Sequence, residues 1–287
     1  MRQLLTLLLI VSAFITTNGQ KHIEIPQSDV VDYFVKSIPE NLNKFKLDDL
    51  RNSTDSIAIR IWKANEILTI KANSSTDYEY KFFMNNGRYK SQEKTYSGKL
   101  SQAFLDSLNS FNIWKLENDN HRGIDGSFIF FEISTKTNYK ICSFWSPESK
   151  RNANCKTVVQ TLTLIDKLLK IGTHRTEFIE NLEPDTYIWG MTTINIDRFL
   201  NKQTKKTDFY SSAKQRIEKE LNITEGTSHQ NYPRIFINDK PARIADLNKY
   251  SEKDILNFEI LKPDNSAIAM YGISGSYGIV KLKTKKD

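Results

Sequence analysis

The C-terminal stretch 231–286 reads NYPRIFINDKPARIADLNKYSEKDILNFEILKPDNSAIAMYGISGSYGIVKLKTKK. Its short apolar runs are separated by turn-forming residues, which is typical of short strands. We predict these strands at 234–237, 240–243, 257–262 and 279–283. Asn238-Asp239 is a hairpin turn signal, and Ser251 can cap a short helix that includes Asp254. The stretch therefore predicts a small α+β module.

This stretch resembles the core of the TonB-dependent receptor plug domain at several points in the same order. The points of resemblance are Asp254-Ile255, Glu259-Ile260-Leu261-Lys262, Ala269-Met270-Tyr271-Gly272 and Gly278-Ile279-Val280. In the plug family the corresponding segments read Asp-Ile, Glu-Val-Leu-Lys, Ala-x-x-Tyr-Gly and Gly-Val-Ile. The resemblance implies a plug-like fold in which structural roles fall to Glu259, Tyr271, Gly272, Gly275 and Gly278.

The resemblance does not extend to a whole receptor. A receptor of this family continues into a membrane barrel of about twenty strands, whereas this sequence ends at Asp287. No motif for engaging the energy-coupling partner is recognisable upstream. We therefore expect a plug-like module without a pore of its own, and no active import. The glycines at 272, 275 and 278 lack the G-x-G-x-x-G spacing and precede a strand, so we predict no phosphate-binding loop.

The N-terminus has the pattern of a secretory signal peptide, residues 1–20. Arg2 precedes the apolar run 4–15, and Thr17 and Gly19 suit a cleavage site. The run is shorter than the roughly 20 residues that span a bilayer, and no later stretch is apolar enough to do so. An N-terminal core helix or strand is the alternative. We expect an exported protein, periplasmic or associated with the outer membrane, and no lipid-modified N-terminus because no Cys lies near the cleavage site.

The composition favours a folded protein with anionic neighbours. Hydrophobic residues make up 39% of the chain, with 16 Phe, 12 Tyr and 4 Trp to fill cores, and the formal net charge is +7. Loss of residues 1–20 removes Arg2 alone and leaves a charge of about +6. Nucleic acid is not expected outside the cell, so acidic glycans, lipid head groups or an acidic envelope protein are the expected partners. The alternative is that the charge serves solubility.

The two cysteines, Cys142 and Cys155, suit an oxidising compartment. A disulfide between them would close a short loop and contribute about 3 kcal/mol to the free energy of unfolding. We predict this disulfide, and two buried thiols are the alternative. Two Cys without a nearby pair of His do not indicate a zinc site.

Residues 21–175 have the pattern of an antiparallel sheet covered by helices, and the fold class is therefore α+β. We predict strands at 57–62, 66–72, 77–84, 88–96, 127–134 and 138–145, with a turn at 85–87. We predict helices at 28–45, interrupted near Pro39, at 100–111 and at 155–171.

The predicted organisation has a linker between two domains. Residues 176–230 are predicted to be this linker, with one strand at 187–196 and one helix at 211–221. The α+β domain at 21–175 precedes it, and the plug-like domain at 231–287 follows it.

One turn in the first domain resembles a pattern of uncharacterised exported Bacteroidetes-type proteins. A Trp is followed by a Gly-x-Asp-Gly-Ser turn and, after two strands, by Trp-Ser-Pro. The resemblance implies no activity. Hydrogen bonds from Asp125 to backbone amides of the turn would account for its acidic residue. The pattern does not fit a calcium-binding loop, because Arg122 and Ile129 stand where acidic ligands are needed. The candidate ligand contacts are Trp114, His121, Asp125 and Trp145, and a structural turn with buried Trp side chains is the alternative.

The sequence offers no convincing active site. Its four His residues are far apart, and neither H-E-x-x-H nor G-x-S-x-G is present. We therefore predict no catalytic, cofactor-binding or metal-binding residues. The main hypothesis is a non-catalytic envelope interaction or accessory protein, for example at the outer-membrane transport machinery of a Bacteroidetes-type cell. The alternatives are an exported glycan or small-ligand binder and, third, a hydrolase that gathers His121, Asp125 and Glu132 in one pocket.

Overall fold

The computed structural model describes residues 21–86 and 91–285. The predicted signal peptide and the start of the strand predicted at 88–96 lie outside the described residues. The fold class is α+β, as predicted, with mostly antiparallel sheets. The chain divides into two compact units, which comprise 1–83 with 93–172 and 84–92 with 173–287.

The first unit is built on a sheet whose long strands are those predicted from sequence. The strands are β1 His22–Glu24, β2 Ile57–Lys63, β3 Glu66–Ala72, β4 Thr76–Asn86, β5 Ser91–Leu100, β6 Phe128–Thr135 and β7 Asn138–Trp145. Their order is β1-β7-β6-β2-β3-β4, and β5 also pairs with β4. Strand β1 joins β7 in parallel, whereas the β7-β6-β2-β3-β4 pairs are antiparallel. Strand β4 continues through 85–86, the first two residues of the predicted turn.

The first helix is continuous, which corrects the predicted interruption near Pro39. Helix α1 is Asp29–Phe45 and contains Pro39. Its buried stripe comprises Val31, Phe34, Ile38, Leu42 and Phe45. These residues share a core with strand residues such as Trp62 and Tyr139. A proline inside a helix costs about 3 kcal/mol. Burial of each large apolar side chain contributes about 1.5–3 kcal/mol, so packing outweighs the cost of Pro39.

Five further α-helices are present in the part of the chain that the structure describes. They are α2 Gln102–Ser110, α3 Ala153–Leu169, α4 Ile171–Glu180, α5 Asp208–Leu221 and α6 Asn265–Tyr271. Within the part of the chain that the structure describes, no helix combines the length and the apolar character that a bilayer crossing requires.

The second unit contains an antiparallel hairpin and a four-stranded sheet. The hairpin is formed by β8 Asp185–Trp189 and β9 Thr192–Ile196. The sheet contains β10 Arg234–Ile237, β11 Lys240–Ala242, β12 Ile255–Leu261 and β13 Ile279–Thr284, in the order β11-β10-β13-β12. Strand β10 is parallel to β13, and the other neighbours are antiparallel. Asn238 and Asp239 connect β10 to β11 with φ of 49° and 64°, as a tight hairpin turn requires.

The segment 176–230, predicted to be a linker, carries structure that belongs to the second unit. The single strand predicted at 187–196 is a hairpin that turns at Gly190, where φ is 58°. Helix α5 buries an apolar stripe in the same core as the C-terminal sheet. That core includes Phe209, Tyr210, Ala213 and Ile217 of the helix and Ile235, Ile237, Val280 and Leu282 of the sheet. The C-terminal module is thus larger than the predicted 231–287.

The connection from β12 to β13 is helical. It consists of helix α6 followed by a 3₁₀ helix at Gly272–Tyr277. The amide of Ile268 donates to the carbonyl of Asp264 at 3.0 Å and closes the first turn of α6. Strand β13 then begins at Ile279, as predicted.

Candidate functional site

The turn after Trp114 is anchored to neighbouring elements by its first two polar residues. Asn118 accepts hydrogen bonds through Oδ1 from the amide and the hydroxyl of Ser143, at 2.9 and 2.6 Å. Asp119 accepts through Oδ2 from Arg151 Nη1 at 3.2 Å and from the Cys155 thiol at 3.3 Å. These bonds fix the start of the turn on β7 and on the N-terminal end of α3.

Two glycines let the same turn approach Trp145 closely. A Cβ atom at Gly123 would lie 2.5 Å from Trp145 Nε1, and one at Gly126 would overlap Ser146 Oγ. Gly126 also has φ of 156°. Trp145 packs edge-on against Phe128 with ring centroids 4.7 Å apart. The glycines of the motif therefore have a packing role.

The structure does not gather the four candidate ligand contacts into one site. His121 is exposed and lines a polar cavity together with Ser28, Asp29 and Asp119. Asp125 is exposed, and Trp114 donates its indole N–H to Asn109. Trp145 is partly buried against Phe128. Among the hydrogen bonds and ring contacts of the described residues, none joins one of the four to another.

Glu132 is buried in a polar network that sequence reasoning missed. Its carboxylate accepts from Trp62 Nε1 at 2.6 Å and from the Tyr139 hydroxyl at 2.7 Å. Arg60 Nη1 lies 3.6 Å from Glu132 Oε2, and both side chains are only 1% exposed. Burial lowers the pKa of Arg60 and raises the pKa of Tyr139. The Glu132 carboxylate is thus buried within the sheet, whereas Asp125 is exposed. This difference argues against a hydrolase that uses the two carboxylates as a pair.

The signal for this network was present in the sequence but ambiguous. Arg60 and Glu132 lie opposite each other in the β2–β6 register. A charged residue inside an otherwise apolar strand needs a buried partner, but sequence alone does not give the register between two strands that are far apart in the chain. Within the described residues, Arg60 Nη1 has no hydrogen-bond partner.

The predicted disulfide is not formed, and both cysteines are free and buried. The Cys142 thiol donates to the carbonyl of Leu116 at 3.3 Å, and the Cys155 thiol donates to Asp119 at 3.3 Å. Each thiol therefore has its own partner on the segment that follows Trp114. Burial raises the pKa of Cys142 to about 12, and burial together with Asp119 raises the pKa of Cys155. Thiols with raised pKa values in closed surroundings are structural and poorly reactive.

Two of the residues singled out by the sequence resemblance, Glu259 and Tyr271, lie on one face of the C-terminal sheet. Glu259 pairs with Lys281 across β12 and β13. Tyr271 packs on Phe236 with ring centroids 5.4 Å apart, and Lys281 Nζ lies 5.4 Å from the Tyr271 ring centroid. A side-chain hydrogen bond with Tyr271 raises the pKa of Lys281. Tyr271 thus covers the sheet face opposite the one on which α5 packs.

The three glycines of the motif shape the backbone between α6 and β13. Gly272 follows α6 with φ of 61°, and Gly275 accepts through its carbonyl from the amide of Gly278 at 3.1 Å. Gly278 has φ of 88°, and a Cβ atom there would lie 2.8 Å from Leu221 and 3.1 Å from the carbonyl oxygen of Leu261. Backbone geometry and close packing account for these glycines.

Among the residues that the structure describes, no strand pairs with the outer edge of β12. Strand β12 is the outermost strand of the four-stranded sheet, is seven residues long and contains no proline. The opposite outer strand, β11, has three residues and includes Pro241. Short strands and prolines protect sheet edges from unwanted pairing. The edge of β12 lacks both protections, and its Leu256 is 64% exposed.

Comparisons of the chain with protein-family models, with curated proteins and with solved structures found no match. Among the described residues, no group of three or more His, Cys, Asp or Glu side chains is arranged to hold a metal ion.

Proposed function

We propose that this chain is an exported, non-catalytic accessory protein of the cell envelope. Its plug-like second unit binds an extended segment of an envelope protein by adding that segment as a strand to the edge of β12. Main-chain hydrogen bonds supply the affinity in this mode of recognition, and pockets or charges beside the strand supply the selectivity.

The edge of β12 is the observation that carries the proposal. A segment that pairs along Ile255–Leu261 would satisfy the outward-facing backbone groups of the outermost strand and would cover Leu256. Strand β13 holds β12 in register from Asn257 to Leu261, so the edge is preorganised. A preorganised edge lowers the entropic cost of binding.

Charge near the edge indicates the chemistry of the partner. Exposed lysines stand on both sides of β12, at Lys253 and Lys262, and each lies close in sequence to an exposed acid, Glu252 or Asp264. A segment with both signs of charge near its ends and apolar residues between them complements this pattern. The signal-peptide pattern of 1–20 and the plug resemblance of the C-terminal stretch support an envelope location for both proteins.

A photo-crosslinking experiment tests the proposal. A photoreactive amino acid is placed at Leu256, and the matched control has it at Ile124, which is 94% exposed in the first unit. Both proteins are incubated with envelope extract, and the crosslinked peptides are mapped by mass spectrometry. We expect one recurrent envelope protein, crosslinked through a short extended segment, at position 256 only.

A blocking variant supplies the second arm of the test. A lysine on an open strand opposes further pairing, so Leu256→Lys should abolish binding of the synthetic segment identified by crosslinking. Ile124→Lys should leave that binding unchanged. Equal crosslinking at both positions, or full binding by Leu256→Lys, would overturn the proposal.

A further inference from the structure

A polar cavity of about 270 Å³ lies within the second unit. Its walls include Asn195, Asp197, His229, Gln230, Tyr232 and Arg234. The volume is just below the range of about 300–1,000 Å³ that holds drug-sized ligands. The cavity therefore suits a ligand with a single ring.

His229 is oriented toward a fixed partner on one side. Its Nδ1 lies 2.9 Å from Glu180 Oε1, and Glu180 also accepts from the Ser228 hydroxyl at 2.7 Å and from the His229 amide at 3.2 Å. Burial alone would raise the pKa of Glu180, but these hydrogen bonds outweigh it and the pKa is lowered. An imidazole held at Nδ1 presents Nε2 as its second hydrogen-bonding atom. His229 is thus a positioned hydrogen-bonding group in the cavity wall.

Asp197 contributes a carboxylate that is incompletely satisfied. Its Oδ1 accepts from the amide of Ile244 at 2.8 Å. No ion pair of Asp197 occurs among the described residues, and burial raises its pKa to about 6. A half-buried carboxylate with acceptor capacity left over favours a ligand that donates hydrogen bonds.

The combined donors and acceptors define the ligand class. The carboxylate of Asp197 disfavours phosphate and carboxylate ligands, and Arg234 offsets the attraction for a cation. Gln230 can donate and accept together, as hydroxyl groups also do. Asn195 Oδ1 already accepts from the Thr186 hydroxyl at 2.7 Å, and its amide nitrogen can donate to a ligand. The ring of Tyr232 supplies an apolar surface with a polar tip. We propose that this cavity binds a neutral polyhydroxylated ligand with one ring, that is, a monosaccharide or the terminal sugar of an envelope glycan.

The arrangement favours binding without hydrolysis. Glycoside hydrolysis generally uses two carboxyl groups that both face the sugar. Glu180 already accepts three hydrogen bonds from Ser228 and His229 and serves to hold the imidazole. Asp197 is the one carboxylate in the cavity wall with acceptor capacity to spare among the described residues. The cavity is therefore a recognition site, and it stands independently of the proposed pairing at β12.

Ligand-observed NMR on the full chain tests this inference. The probes are a panel of neutral hexoses, pentoses and N-acetylated hexosamines, and oligosaccharides that end in the same sugars. Glucuronic acid and inorganic phosphate serve as charged comparators. We expect saturation transfer from the protein to at least one neutral sugar and to neither comparator. Equal affinity for free sugar and oligosaccharide indicates recognition of the terminal ring alone, whereas tighter binding of the oligosaccharide indicates a glycan end.

Two variants locate the site. Asp197→Asn keeps an acceptor for the Ile244 amide, and Gln230→Ala removes one side-chain amide. Each should weaken binding of the responding sugar about tenfold or more in calorimetric titration. The matched control is Asp239→Asn in the exposed β10–β11 turn, which should bind as the parent does, and circular dichroism confirms that all three are folded. No response from any neutral sugar, preference for a charged comparator, or unchanged affinity in both cavity variants would overturn the inference.

Discussion

Leu221, the last residue of α5, lies so close to Gly278 at the start of β13 that a Cβ atom at 278 would be 2.8 Å from Leu221 Cδ2. Gly278 also has φ of 88° and ψ of 164°, a conformation reached almost only by glycine. Helix α5 and the C-terminal sheet thus pack closely at position 278, where the backbone conformation and the contact with Leu221 leave no room for a side chain.

Gly278→Ala is expected to destabilise the second unit by about 3 kcal/mol. Backbone strain accounts for about 1–3 kcal/mol of this, and overlap with Leu221 adds about 1–3 kcal/mol. Guanidinium denaturation followed by circular dichroism measures the change. Gly272→Ala is the matched control for strain alone, because Gly272 has φ of 61° but an added Cβ atom there would have no neighbour within 4 Å, and it should cost about 1 kcal/mol. Equal stability of the two variants would contradict the packing argument.

Glu132→Ala is expected to cost about 3–5 kcal/mol in the free energy of unfolding. The substitution leaves the buried Arg60 without its counter-charge and removes the acceptor for Trp62 and Tyr139. Glu220→Ala, which removes a carboxylate from the more exposed pair with Arg216, is the control and should cost less than about 1 kcal/mol.

A double variant separates charge from packing in this network. The loss of unfolding free energy in the double variant Arg60→Met with Glu132→Ala should be smaller than the sum of the two single losses. The reason is that Arg60→Met removes the charge that Glu132→Ala leaves unpaired. Additive losses in urea denaturation would show that the ion pair is not coupled.

The stability of the second unit is expected to fall as the pH rises through about 6. Burial raises the pKa of Asp197 to about 6, so the folded protein holds this proton more tightly than the unfolded chain, in which the pKa is near 4. Proton binding favours the folded state fully below about pH 4, and this advantage is lost progressively as the pH rises from about 4 to about 6.

The free energy of unfolding of Asp197→Asn should therefore exceed that of the parent by about 2 kcal/mol at pH 8 and equal it at pH 4. Paired thermal and urea denaturation at both pH values measures the difference. Asp239→Asn is the comparison, because the exposed Asp239 has its pKa lowered by a hydrogen bond from Lys283. The account fails if Asp197→Asn has no advantage at pH 8 or keeps the same advantage at pH 4.

Both cysteines are expected to react with a maleimide only after unfolding. Native protein at pH 7 should show little labelling, because Cys142 and Cys155 are buried and their thiol pKa values are raised. In guanidinium without reductant, intact-mass spectrometry should find two labels per chain. A chain that takes up labels only after reduction would carry the disulfide that the structure lacks.

Local patterns of the sequence predicted much of the fold. The hairpin of β6 and β7 lies within one residue of its predicted bounds, because alternating apolar residues and the intervening turn are both local signals. The turn at Asn238-Asp239 is likewise encoded by residues that tolerate positive φ. Pro39 was misread because the core contacts that hold α1 come from strands far away in the chain.

Features that depend on distant residues were not predictable in the same way. Cysteine spacing in the sequence did not reveal that the thiols of Cys142 and Cys155 have separate partners. The cavity lined by His229 and Asp197 also has no local sequence signature, because the chain between Glu180 and His229 includes the β8–β9 hairpin and helix α5. The plug resemblance and the export of the chain stay predictions.

The outer edge of β12 has a consequence for any measurement of affinity. Every copy of the chain carries the same outer edge of β12, and two such edges can pair about a twofold axis. Homodimer formation would then compete with binding of the proposed partner segment, so the apparent affinity for that segment should weaken as the concentration of this chain rises. Titrations that keep this chain dilute and vary the other component give the intrinsic constant.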